Sequence, residues 1–239
     1  MASRTSPGAR ARLLARPGAV GNERRDAPLE PGTHPLGAAD ARDGLLFVPS
    51  RSPPGDAWPL VVLLHGAGAD AADILPVLAP AADHHGVLVL APDSRGATWD
   101  LLTGGVGPDA RFIDAALELV LQRAAVDPAH VALSGFSDGA SYALSLGLAN
   151  GDLFTHILAF SPGFAAPPAR HGRPRIFVTH GRYDRVLPID RCSRRIVPAL
   201  RAEGYAVEYT EFDGGHIVPP ELAEGAVTWM LRAAGAEER

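Results

Sequence analysis

The sequence predicts an α/β fold: a mostly parallel, doubly wound sheet flanked by helices. Short runs rich in Leu, Val and Ile recur from Gly44 onward, and segments with apolar residues at helical spacing lie between them. Several of these runs are apolar without a break, as strands covered on both faces must be. The alternation of strand and helix implies right-handed crossovers within one sheet. With 239 residues the chain can bury one sizeable core and is short for two.

Taken in order, residues 1–32 read as an N-terminal extension, partly flexible, and residues 33–239 as one domain. Up to Val20 the extension carries Arg4, Arg10, Arg12 and Arg16 and no acidic residue. Transit peptides share that pattern; the other reading is a floppy end followed by an edge strand around Ala11–Arg16. No apolar core of a secretory signal follows the arginines, so the expected compartment is cytoplasmic. Strands are expected at Leu45–Pro49, Leu60–Leu64, Val87–Ala91, Val131–Ser134, His156–Phe160, Arg175–Thr179 and Val207–Phe212. Asp109–Ala125 sets Phe112, Ile113, Ala116, Leu117, Val120 and Leu121 on one helical stripe. Ser137–Asn150 reads as a second helix stopped at Asn150-Gly151. Arg191–Glu203 and Glu221–Ala234 follow as helices, and His84 and His85 close another.

Composition narrows the function classes. The net charge is −5, every one of the 22 basic residues is Arg, and the arginine-rich stretch is confined to the start. That balance argues against a nucleic-acid partner. The single cysteine, Cys192, precludes an internal disulfide or a Cys-rich zinc site and reads as a packing residue. No apolar run approaches the roughly 18–20 residues of a membrane span.

The sharpest chemical signal is Gly135-Phe136-Ser137-Asp138-Gly139, a G-x-S-x-G placed between an apolar strand and a helix. A serine hydroxyl needs a base and a backbone that presents it, and the helix behind it turns free N–H groups toward developing negative charge. His216, in Phe212-Asp213-Gly214-Gly215-His216, is the candidate base. His84 and His85 read as solvated, His130 and His156 as structural, and His171 falls in a Pro-rich loop. Asp184 follows the strand and glycine turn of Arg175–Gly181 and leads the candidates for the orienting acid, with Asp190 and Asp213 as alternatives. The chain order Ser137, Asp184, His216 is one of the three known orders of such triads. Leu64-His65-Gly66-Ala67-Gly68 supplies a strand and a small-residue loop, from which the N–H of Ala67, with that of Asp138, can receive an oxyanion. His65 reads as a loop-fixing residue. Gly66, Gly68 and Trp99 are expected to border a substrate pocket, although Trp99 fits core packing equally well. Thr103–Gly107 lacks the spacing of a phosphate loop and reads as a flexible loop on the same edge.

Together these four blocks resemble the α/β-hydrolase superfamily, and within it the phospholipase/carboxylesterase (serine esterase) family, over roughly residues 35–234. The resemblance implies an α/β-hydrolase fold, with Ser137 as nucleophile, Asp184 as acid, His216 as base, and Ala67 and Asp138 forming the oxyanion hole. It implies hydrolysis of a small-molecule ester or thioester of short to medium acyl chain, without cofactor; no metal is expected, and the sequence leaves monomer and homodimer open. A lactone hydrolase or peptidase on the same fold, or a binding protein that has lost catalysis, are the alternatives. The chain departs from acyl-protein-thioesterase-like members in carrying Asp138 where they carry Gln. Residues 162–174 leave no room for the helical cap of lid-bearing hydrolases, so no cap domain and an open pocket are expected.

Overall fold

The computed structural model describes residues 6–18, 29–53, 55–103 and 107–232. The tip of the glycine-rich loop at 104–106, Arg4, Val20 and the expected helix end at Ala234 lie outside them. The eight strands are β1 (Gly32–Pro35), β2 (Gly44–Val48), β3 (Trp58–Leu64), β4 (Leu88–Pro92), β5 (Val126–Phe136), β6 (His156–Phe160), β7 (Arg175–Gly181) and β8 (Val207–Phe212). They form one sheet in the order β1-β2-β4-β3-β5-β6-β7-β8. The six from β4 to β8 run parallel, while β2 pairs antiparallel with β4 and β1 with β2. Strands β4 and β6 are buried at every residue, in keeping with their unbroken apolar runs, whereas edge strand β8 is mostly half-buried.

Alternate side chains of β3 feed two cores, as the strand period demands. Leu60, Val62 and Leu64 pack with the stripe of α3 (Pro108–Arg123), with α4 (Asp138–Ala149) and with α5 (Ser193–Ala202). Val61 and Leu63 pack on the other face with α2 (Ala71–His85) and α6 (Pro220–Leu231). No helix intervenes between β6 and β7. Among the described residues, no helix is long and apolar enough to cross a membrane.

His84 and His85 do close a helix, whose start the sequence left open. Helix α2 runs through Pro76 and Pro80, held by a capping box between Asp70 and Asp73 and ended at left-handed Gly86 (φ 68°). One expectation needs correction: residues 11–16 are not an edge strand. After a single helical turn, α1 (Pro7–Arg10), they run as an unpaired strap over the ends of other elements, and the sheet edge belongs to β1. The reason is that helix-end side chains, not a neighbouring strand, satisfy the strap. Asn150, fully buried, accepts from the Leu13 N–H at 2.9 Å and donates to the Ala11 carbonyl at 2.8 Å. Asp114 accepts from the N–H groups of Leu14 and Ala15, and Asp152 pairs with Arg12 and Arg16.

Asn150→Ala strands the Leu13 N–H and the Ala11 carbonyl in a buried place. It should lower the free energy of unfolding by about 2–6 kcal/mol, counting about 1–3 kcal/mol per stranded group, measured by urea denaturation against wild type.

Candidate active site

Parallel strands deliver their carboxyl ends to one rim, and ligands settle in the crevice where strand order reverses, here between β3 and β5. Ser137 follows β5 directly and is held at φ 59°, ψ −118°, a left-handed conformation that a non-glycine residue adopts only under constraint. Its N–H donates to the Phe160 carbonyl at the end of β6, and its carbonyl accepts from Ser141 in α4. The two glycines of the motif exist because backbones nearly touch there. A Cβ on Gly135 would lie 2.4 Å from the carbonyl of Gly139, and one on Gly139 would lie 2.3 Å from the Leu64 carbonyl oxygen.

Asp184 and His216 come to Ser137 from the loops after β7 and β8. The His216 Nδ1–H donates to Asp184 Oδ2 at 2.6 Å, and the Ser137 hydroxyl donates to Nε2 at 2.9 Å. A carboxylate can only accept, so this contact fixes the imidazole proton on Nδ1 and leaves the Nε2 lone pair facing the hydroxyl. Burial pushes the Asp184 carboxyl up, but hydrogen bonds from His216 and from the Leu187 and Val186 N–H groups outweigh it, and the net shift is downward. Asp190 instead pairs with Arg194, and Asp213 with Arg182. Gly66, Ala67, Ile74, Val77, Phe136 and Val186 join Ser137 and His216 around a cleft of about 410 Å³. Among the described residues, neither the Ala67 nor the Asp138 N–H has an acceptor. A larger apolar hollow, about 830 Å³, lies on the other flank of α2 against β1 and β2 and touches none of the three.

No protein-family model matches the chain, and no curated protein matches it by sequence. Solved structures do. Esterase PE8 superposes with a TM-score of 0.63 at 24% identity, covering 85% of this chain and 98% of its own. FphF, a fluorophosphonate-binding serine hydrolase of Staphylococcus aureus, gives 0.68 at 13% identity over 87% and 100%. A Bacillus cereus carboxylesterase gives 0.58 at 19% identity over 81% and 95%. The chain has the α/β-hydrolase fold.

Around the Ser137 hydroxyl, within this α/β-hydrolase fold, the small-residue loop is braced from beneath. The His65 Nδ1–H donates to the Gly66 carbonyl at 2.7 Å, and the Ser94 N–H donates to Nε2 at 3.0 Å. Burial, above all, holds this imidazole below its ordinary pKa, so it stays neutral and spans the loop as an inert strut. Gly68 (φ 74°) turns the loop and donates to the Ala97 carbonyl; it lies outside the cleft lining, contrary to expectation. Trp99 is likewise not a pocket wall. It is fully buried, stacks on Tyr142 and donates to the His65 carbonyl at 2.8 Å, so an indole that must satisfy its N–H supports the loop from below. The carboxylate of Asp138 accepts from the Thr98 hydroxyl at 2.8 Å.

Two contributors escaped the sequence reading. Arg42, itself at φ 50°, donates to the carbonyls of Ala69 and Ser94, tying the small-residue loop to the loop after β4. His180, fully buried at the end of β7, donates from Nε2 to the Leu187 carbonyl at 2.8 Å and accepts from the Ser193 hydroxyl at 2.6 Å. It thereby braces the turn that carries Asp184. A histidine closing an apolar strand needs buried partners, and that was the signal available.

Gly139→Ala must separate α4 from β3 by pushing on the Leu64 and His65 carbonyls. Overpacking of this kind costs about 1–3 kcal/mol, and the melting temperature should fall by several degrees against wild type in thermal denaturation.

Proposed function

We propose that the chain is a serine carboxylesterase hydrolysing short- to medium-chain carboxylic esters through an acyl-enzyme. The observation that carries this reading is the unbroken hydrogen-bond line from Ser137 Oγ through His216 to Asp184. His216 takes the Ser137 proton as the hydroxyl attacks the ester carbonyl, and Asp184 steadies the imidazolium that results. The N–H groups of Ala67 and Asp138 receive the oxyanion. His216 then protonates the departing alcohol, and water activated by the same imidazole releases the acid. The fold likeness to esterases and serine hydrolases supports a hydrolase of this type. The engagement of the Asp138 carboxylate by Thr98 also supports it, since the oxyanion needs only the Asp138 backbone N–H. The uncapped rim suits small soluble esters better than lipid droplets.

Ser137→Ala should lower kcat on p-nitrophenyl butyrate by about 10⁴–10⁶-fold and abolish labelling by a fluorophosphonate probe. Near-normal turnover in this variant would end the reading. Asp184→Asn should cost about 10⁴-fold with little change in KM, because the imidazole would then hold the wrong tautomer.

A further inference from the structure

Val77 forms one wall of the cleft beside Ser137. That residue also lines a second hollow, of about 570 Å³, between α2 and α6. On α2 the residues Asp73, Val77, Pro80 and His84 follow one another at helical spacing along a single row. Asp73 and Val77 border the cleft, while Val77 and Pro80 border the second hollow. From α6 and the loop before it, Val218, Pro220 and Ala223 face the same space, and among the described residues Glu221 and Glu224 are its charged lining. His84 Nδ1 and His85 Nε2 lie 3.1 and 2.6 Å from Glu224 Oε1, a polar bridge between the two helices at the far end of the row. The mouth of the cleft is apolar as well. Of the four large hydrophobic side chains exposed among the described residues, Tyr183 and Val186 sit on the Asp184 loop and Ile217 follows His216.

We propose that this groove is a substrate-chain subsite: the linear apolar arm of an ester whose carbonyl sits at Ser137 leaves the cleft at Val77 and runs between α2 and α6. The proposal rests on the esterase reading above and adds the class of substrate, an ester with an extended unbranched alkyl chain. From Val77 to His84 the row measures about 10 Å at 1.5 Å per residue. An apolar chain gains along that length and stops where the His84, His85 and Glu224 bridge would have to be desolvated.

The test is kcat/KM on two substrate series, p-nitrophenyl acetate to laurate and ethyl to octyl acetate, so that either arm of the ester can report. In wild type at least one series should rise by about two- to fourfold per methylene that enters the groove, then level off. Pro80→Trp fills the groove beyond the cleft and removes a proline from a helix interior, which favours the helix. It should lower the long-to-short ratio in that series by about tenfold, the worth of one to two buried methylenes. Pro220→Trp, on the facing helix, repeats the measurement should the first variant fold poorly. Profiles flat in both series for wild type, or a ratio unchanged by both tryptophans, overturn the proposal. If acetate turnover persists in Ser137→Ala, the esterase reading itself falls; if it depends on Ser137 while the ratios stay put, only the groove assignment falls.

Discussion

Three backbones meet with almost no space between them at Gly135, Gly139 and the Leu64–His65 peptide, and the rest of the site depends on that contact. Strand β5, helix α4 and the end of β3 can approach so closely only where no Cβ intervenes. The approach brings the small-residue loop against the Ser137 turn, so close that a Cβ on Gly66 would touch the Ser137 Cβ at 3.5 Å. It also keeps Ser137 in a conformation that costs of the order of 1–3 kcal/mol, supported by a helix whose residues from Gly139 to Ala149 are all buried.

Behind that contact, the side chains and loops that surround the hydroxyl are themselves held by further groups. Asp184 has His216 on one oxygen and two backbone N–H groups on the other, and the turn bearing it rests on His180. The small-residue loop rests on His65, Arg42 and Trp99. The Ala71 N–H at the head of α2 donates to Asp93, which binds that helix to the loop after β4. Because the partners are already oriented, charge developing in the proposed reaction would meet fixed dipoles and little reorganisation.

Much of this was legible in the sequence, for identifiable reasons. Strands buried on both faces announce themselves as unbroken apolar runs, and β6 and β8 match their expected bounds. A G-x-S-x-G between strand and helix marks its own turn because the glycines answer a local steric demand. The features that were missed are satisfied by distant groups. Strand β1 is a four-residue stretch, Gly-Thr-His-Pro, that becomes a strand only against β2. The strap at 11–16 is directed by Asn150, Asp114 and Asp152, about a hundred residues or more away. Helix α2 was obscured by two interior prolines, a local signal overruled by burial of Ile74, Leu75 and Leu78. Trp99 shows the same limit: nothing near it in sequence reveals that its N–H belongs to the His65 carbonyl.

The direct passage from β6 to β7, with no helix rising over the rim, has a kinetic meaning. Enzymes with a moving lid often spend their cycle waiting for a hinge, and they use the closed interval to exclude solvent. Among the described residues, no helix stands between β6 and β7 to act as such a lid. In the reaction proposed above, water therefore meets the acyl-enzyme without waiting for a helix at this edge of the rim to move.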